Sequence, residues 1–559
     1  MSSRRAPSAS PLLSVVVPVF NGGPAIVANI EVIRDAVAER LEPDAVEVVV
    51  VSDGSIDGTA ERLLEESLEG VRVIHYDRNL GKGYAVKAGS LAATGDWIGL
   101  CDSDLDLDPS ALPAYLEVAQ RDGLDIVVGS KRHPDSVVHY PRSRRIGSWG
   151  YQLLTRALFG LDVRDTQVGL KVFSREVADE IMPLLLVKRF AFDLELLAVS
   201  TALGRGRIRE LPITLAYRFT GSGVRSRAVA RALWDTAAVF YRLRILRTYQ
   251  RKRQLVGDLR RSRDYRPLVT LIGADAAVAS GQDYPALELA DSLAEAHGDV
   301  IARCPPGSSP AGNWVGASVA FLAREDVAAV VCASVAPLDG TVRERAGAAV
   351  LESRLVPGGR RVRYVPGNVG VIRDHPAEAV VARRADLERS RARRVPQDAL
   401  VSWLAAYDRR TVYTPETVVV SRPPKLVSPV IRAVYRHGRR RGTNARATYG
   451  ASLSGASTAA LLPFFCGLAG APLLAARGTR RIGCALVGFY GLAVVASGLQ
   501  GAVRFRSPAV GGLAVPTLVA VQASYLAGFL FGVTRPSRRR SPDTTAPRPF
   551  TGRRATRTG

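Results

Sequence analysis

Between Leu12 and Leu215 the chain alternates short β-branched runs with stretches of helical spacing, and this alternation limits the fold more than any other feature. A strand that is apolar on both faces must be covered on both, so strands separated by helices build a largely parallel sheet with helices packed against it. Strands are expected at Ser14–Val19, Val46–Ser52, Val71–Tyr76, Trp97–Cys101 and Ile126–Gly129, with helices at Pro24–Ala38 and Gly58–Leu68. After a charged, unpatterned linker, Asp258–Arg266, a second α/β pattern runs from about Tyr265 to Pro424. Its strands are expected at Leu268–Ile272, Ala328–Cys332 and Val412–Val420. A chain of 559 residues accommodates both cores and a further segment. No repeat of roughly 20 to 50 residues, the mark of a solenoid, is present.

Three long apolar stretches close the chain: Gly455–Ala476, Ile482–Val503 and Ala509–Val533. Each is long enough to cross a bilayer, for which about 20 residues suffice. Pro463 and Pro472 mark the first as broken or re-entrant, so two or three spans are expected. The net charge of +24 admits nucleic acid, a membrane surface or phosphate-rich substrates as partners. Arginine runs at Arg439–Arg441 and Arg538–Arg540 lie beside apolar segments, where anionic headgroups attract them, and this places the membrane ahead of nucleic acid. In Val224–Lys252, Val229, Leu233, Ala237, Phe240 and Leu243 recur at helical spacing among arginines. That pattern suits a helix lying flat on a membrane or a solvated helix packed on the domain. Cys101, Cys304, Cys332, Cys466 and Cys484 lack metal spacing and read as reduced core residues. The basic N-terminus leads straight into a strand without a cleavage site, so no signal peptide is expected and the first domain belongs in the cytosol.

The chemistry collects where the strands end. The first strand runs into Pro18, Val19, Phe20 and Asn21, and the next into Asp53, Gly54 and Ser55, at the carboxyl edge where open α/β sheets bind ligands. Asp53 can accept a hydrogen bond from a base or ribose; a strand followed by Asp-Gly-Ser also makes an ordinary turn and helix cap. The fourth strand enters Asp102, Ser103, Asp104, Leu105 and Asp106, whose carboxylates repel without a cation. Mg²⁺ or Mn²⁺ prefers such oxygen ligands and is shared with substrate phosphates; a solvated acidic loop is the alternative. Between these, Arg78-Asn79-Leu80-Gly81-Lys82-Gly83 stands at a strand-to-helix junction, where glycines admit a phosphate and Lys82 supplies charge.

In order, VVVPVFN, VVSDGSIDGT, RNLGKGYAVKAG, DSDLDLDP, GSKR, DTQVGLKVF, FAFDLELL and ELPI resemble the family 2 glycosyltransferases of GT-A fold. The resemblance is nearest to the dolichyl-phosphate glucosyltransferases and dolichyl-phosphate mannose synthases with their bacterial polyprenyl-phosphate relatives, and covers about Leu12 to Tyr217. It implies a mixed α/β sheet with helices on both faces. Pro18, Asn21, Asp53, Lys82 and Asp102 become donor-binding residues, and Asp102, Asp104 and Asp106 ligands of Mg²⁺ or Mn²⁺. Asp165 falls at the active-site aspartate, while Phe192, Asp193 and Glu195 shape the acceptor side. Relatives often carry another residue where Asp106 stands.

On this reading the chain divides into a disordered N-terminus (1–11), a glycosyltransferase domain (12–223), a basic interfacial helix (224–257), a second α/β domain (258–424), a basic juxtamembrane segment (425–454), membrane helices (455–534) and a disordered tail (535–559). The second domain faintly resembles another glycosyltransferase through Gln282-Asp283-Tyr284-Pro285, Tyr364-Val365-Pro366-Gly367-Asn368 and Tyr413-Thr414-Pro415-Glu416. Where its carboxylates are expected, after Ala328–Val331, it has Cys332, Ala333 and Ser334, which points to a degenerate copy.

The expected reaction moves glucose or mannose from UDP-glucose, favoured, or GDP-mannose onto a polyprenyl phosphate, with inversion, on the cytoplasmic side of the cell membrane. A lipid monophosphate is mostly ionised at neutral pH, its second pKa being about 6, so positioning and neutralisation outweigh general-base help. Asp104, Asp165 and Arg132 are the catalytic candidates. Arg132, with one or more of Arg142, Arg144 and Arg145, is expected to grip the acceptor phosphate. Two alternatives are a polysaccharide, glycolipid or peptide acceptor, and a non-enzymatic membrane scaffold. The QxxRW segment of processive synthases is absent.

Overall fold

The computed structural model describes residues 11–76, 78–137, 142–187, 191–215, 226–257, 265–356, 361–373, 378–423, 428–447 and 460–534. These residues fall into two compact units, Met1–Val335 with Pro366–Ser421, and Ala336–Val365 with Arg422–Gly559.

In the first half of unit 1 the strands are β1 (Leu13–Val19), β2 (Val46–Asp53), β3 (Val71–Tyr76), β4 (Trp97–Leu100), β5 (Ile126–Ser130), β6 (Lys171–Ser174) and β7 (Ile208–Pro212). The helices are α1 (Ile26–Ala38), α2 (Thr59–Glu66), α3 (Lys82–Ala92), α4 (Ala111–Arg121), α5 (Arg142–Phe159), α6 (Arg175–Glu180), α7 (Phe192–Ala202), α8 (Ser226–Phe240) and α9 (Thr248–Gly257). The sheet order is β3-β2-β1-β4-β6-β5-β7, parallel throughout except that β6 is antiparallel to both neighbours. This is a mixed sheet with helices on both faces, as the resemblance implies. Val15, Val16 and Val17 are buried in turn because β1 is covered on both faces: Val16 joins the core beneath α3 and α7, Val15 and Val17 the one beneath α1 and α4. The expected strands and helices stand within about two residues of their places.

The second half repeats this plan. Its strands are β8 (Val269–Ile272), β9 (Leu287–Ala290), β10 (Val300–Arg303), β11 (Ser309–Pro310), β12 (Val327–Val335), β13 (Gly370–Ile372), β14 (Val380–Arg383) and β15 (Arg410–Val420). The order β9-β8-β10-β14-β12-β15 carries the same parallel and antiparallel pairings as β2-β1-β4-β6-β5-β7. Register makes the match residue by residue. Ser14 pairs with Glu47 across β1 and β2, and Thr270 with Glu288 across β8 and β9. In the first half the Ser14 hydroxyl donates to Glu47 at 2.6 Å and accepts the Gly95 amide at 2.8 Å. In the second, the Thr270 hydroxyl donates to Glu288 and accepts the Gly298 amide at 2.9 Å. The residues after those glycines run Asp-Trp-Ile-Gly-Leu-Cys and Asp-Val-Ile-Ala-Arg-Cys. The counterpart of β4 is therefore β10, not the strand that begins near Ala328. The expected position of the lost carboxylates is corrected accordingly: Pro305 and Gly307 stand where Asp102 and Asp104 do in the first half.

Among the described residues of unit 2, two helices, Arg480–Arg504 and Pro508–Thr534, are long and apolar enough to cross a membrane. The first stretch gives a shorter helix, Leu462–Leu473, with Pro472 inside it. Leu492 and Val503 are each 72% exposed, and so large an uncovered apolar surface suits lipid rather than a protein core. Helix Ser428–Ala447 lies close along Pro508–Thr534 because Gly438, Gly442, Gly528 and Gly532 remove side chains from the contact.

Candidate active site

The loops after β1 and β2 are laced together. Asn21, in left-handed conformation, donates its amide to Ser55 Oγ at 3.1 Å and accepts the Ile56 amide on Oδ1 at 3.0 Å. Gly23 donates to Asp57 at 2.8 Å. Pro18 stands opposite Val51 in the parallel pairing and so at the same sheet edge. Asp53 is buried and accepts the amides of Leu80 at 2.7 Å and Gly81 at 2.8 Å, which fixes the loop before α3. Gly54 turns with φ +67°, and a Cβ there would lie 2.2 Å from the Asn79 nitrogen, so that close passage needs glycine. Asp53 thus acts first as the clamp of the Arg78–Gly83 loop.

Lys82, the first residue of α3, places its ammonium 2.5 Å from Asp102 Oδ1 at the end of β4. Burial pulls the lysine pKa down, but Asp102, Asp193 and Asp104 outweigh it and raise the pKa overall. Asp104 is exposed and accepts the Asp106 amide at 3.1 Å, with Leu105 between them at φ +59°. The three carboxylates do not close around one point: among the described residues no group of three His, Cys, Asp or Glu side chains could hold a metal ion. Asp102 and Asp104 nevertheless supply a purely carboxylate set at a strand end, beside an ammonium already paired with one of them. That chemistry fits Mg²⁺ or Mn²⁺ sharing its shell with substrate phosphates and water, as these ions prefer.

The loop before β6 reaches the same point. Asp165 accepts the Gln167 amide at 3.2 Å and donates its own to Glu210 at 3.0 Å. Four residues on, a Cβ at Gly169 would fall 2.0 Å from Asp102 Oδ2, so only glycine leaves the carboxylate its place. Lys171 is fully buried and pairs with Asp193 at 2.6 Å. Burial raises the Asp193 pKa, while Lys171 and Lys82 act against it. Glu195 accepts the amides of Leu186 and Val187 and the hydroxyl of Tyr249, an anchoring role inside the core. Phe192 packs in the same core. Gly169 and Lys171 lie within motifs already visible in the sequence, but only proximity reveals what they do.

Arg132, after β5, directs its guanidinium to Gln152 on α5. Arg142, Arg144 and Arg145 begin α5, and their side chains lie outside the described residues. Further along, α5 is tied to α8 by Tyr151 and Thr236 at 2.9 Å. Helix α8 turns Val239 inward, and Leu243 just beyond it is also buried, but Leu233 and Ala237 face outward with Trp234, which is 76% exposed. Trp149 and Leu153 on α5, and Tyr241 and Ile245 after α8, are exposed as well, and so are Arg244, Arg247 and Arg251.

Residues 14–182 match the family described as Glycosyl transferase family 2. An undecaprenyl-phosphate mannosyltransferase of Micrococcus luteus is 30% identical over 242 residues, which cover 41% of this chain and 96% of that protein. A dolichyl-phosphate beta-glucosyltransferase of Dictyostelium discoideum is 30% identical over 204 residues, 34% of this chain and 62% of the relative. This chain spans only 32% of glycosyltransferase AglD of Haloferax volcanii, at 33% identity over 36% of its own length.

Proposed function

Since this chain belongs to glycosyltransferase family 2, we propose that its first half transfers a hexose from a nucleoside-diphosphate sugar to a polyprenyl phosphate at a membrane. The observation that carries this reading is the pairing of Lys82 with Asp102 at the sheet edge, on a loop held by Asp53. An ammonium among carboxylates is arranged for a diphosphate and its cation. Asp102 and Asp104 would hold the divalent ion, which when bound neutralises charge on the departing nucleoside diphosphate. Lys82 would take a phosphate oxygen in place of Asp102, and Asn21 and Pro18 would border the nucleoside.

Gly169 brings the loop that carries Asp165 against Asp102, and that loop would border the acceptor. Arg132, just after β5, with the arginines that open α5, would orient the acceptor phosphate for direct displacement with inversion. UDP-glucose is the favoured donor and GDP-mannose the other candidate. The exposed aromatic and aliphatic face of α5 and α8 would rest at the membrane surface, with the nearby arginines toward anionic headgroups and the catalytic half on the cytoplasmic side.

Membranes holding the full chain are incubated with labelled UDP- and GDP-sugars, and the lipid product is extracted. The expected product is a mild-acid-labile sugar phosphate lipid made by wild type and absent with Asp104→Ala. Retained turnover in that variant, or an acid-stable product, overturns the reading.

A further inference from the structure

The second half keeps the strand order and pairings of the first, with Pro305 and Gly307 where the first half has Asp102 and Asp104. One contact joins it directly to the donor side of the first half. Tyr84 lies in the first turn of α3, two residues after Lys82, and its hydroxyl donates to the carbonyl of Pro415 at 2.7 Å, a buried bond across 331 residues of sequence. Pro415 sits within β15, the longest strand of the second half. The Tyr84 ring also meets Tyr76 edge to face, with centroids 5.6 Å apart at 86°. Tyr76 ends β3 and pairs in register with Asp53. Asp53 and Lys82 are thereby joined to β15 through two packed tyrosines and one hydrogen bond.

We propose that the second half serves as a built-in positioning domain, in which β15 holds Tyr84 and so sets where Lys82 meets the donor diphosphate. Tyr84 is a positioning residue; it reaches the donor only through α3. The proposal rests on the donor site described above. A helix whose first turn is free to shift loses the alignment of its lysine, whereas a buried tyrosine bonded to a strand carbonyl fixes both the rotation and the height of that turn. Retention of the scaffold after loss of the carboxylates follows, because bracing needs an ordered sheet and no metal.

The test compares three full-length proteins: wild type, Tyr84→Phe, and Thr270→Val. Tyr84→Phe removes only the hydroxyl. Thr270→Val loosens the second half within its own sheet, between β8 and β9, and leaves the brace in place. Calorimetry measures binding of UDP and of GDP, each with Mn²⁺, and turnover gives KM for donor and acceptor separately. Tyr84→Phe should weaken nucleotide binding and raise donor KM by about tenfold, about 1.4 kcal/mol of lost Lys82 alignment. Acceptor KM should stay the same, and Thr270→Val should leave nucleotide binding at the wild-type value. Equal binding by wild type and Tyr84→Phe, or equal weakening by both variants, overturns the brace. If wild type binds neither nucleotide, the donor site itself is wrong and the brace falls with it.

Discussion

The two halves of unit 1 share a sheet and differ at its edge. In both, a hydroxyl on the first strand bridges a glutamate on its neighbour and a glycine amide ahead of the next strand. In both, a buttressing aspartate before an inner strand meets an arginine at the start of a parallel neighbour, Asp125 with Arg207 just before β7 at 3.2 Å and Asp326 with Arg410 at the start of β15 at 3.3 Å. The edge diverges: Cys101 is followed by Asp-Ser-Asp, and Cys304 by Pro-Pro-Gly. What organises the sheet is therefore separable from what acts on substrate, and changes in the two classes should fail in different ways.

The largest contrast is expected at the edge. Asp102→Ala should lower kcat/KM by about a thousandfold, the scale of losing a preorganised charge contact in a transition state. Its counterpart, Pro305→Ala, should leave turnover unchanged. Steady-state rates with thermal melts check both, and comparable rates for wild type and Asp102→Ala would remove the chemical distinction between the halves.

A smaller loss is expected at Gly169→Ala, whose Cβ would overlap the Asp102 carboxylate. Turnover should fall by about ten- to a hundredfold, since a displacement of about 1 Å suffices for that. The melting temperature should move little, because the loop can shift where the buried sheet cannot. A variant of wild-type activity would show that Asp102 need not occupy its observed place.

Next come the shared bridges. Ser14→Ala takes the hydroxyl acceptor from the Gly95 amide and should reduce stability by about 1–2 kcal/mol, whereas Thr270→Val leaves the Gly298 amide still bonded to Glu288 at 3.0 Å and should cost about 1 kcal/mol. Similar shifts in denaturant midpoints would sharpen the equivalence of the halves. A large effect in one and none in the other would break it.

Much of the first half was legible because its strands and carboxylates are local signals. Val15–Val17 announce a strand covered on both faces, and Asp102 and Asp104 follow an apolar run directly. The second half misleads for a physical reason: in this sheet chain order and spatial order part after the third strand, and periodicity carries no information on pairing. The strand near Ala328 is the most apolar, yet β10 holds the equivalent edge. The Gly-Asp-x-Ile-x-x-Cys segments at Gly95 and Gly298 were the readable sign. Contacts such as Lys171 with Asp193, or Tyr84 with Pro415, depend on side chains brought together by the whole fold. The basic segment after Val224 showed its apolar spacing but not that α8 carries two apolar faces, one packed inward and one exposed.

The smallest effect concerns acid. Hydrogen bonds from Thr270, then from the amides of His297 and Gly298, hold the Glu288 carboxyl below its ordinary pKa of 4.5, against a modest opposing effect of burial. A group whose folded pKa is depressed stabilises the fold fully above its unfolded value, and that contribution is lost as pH falls through the folded value. Thr270→Val removes the leading cause of the depression, so its stability should depend less on pH between about pH 6 and about pH 3 than wild type does. Melts across that range give the two slopes directly. A parallel pair of curves would mean that the Thr270 hydroxyl orders the strand pair without tuning the glutamate, and the bridge in the second half would then be purely geometric.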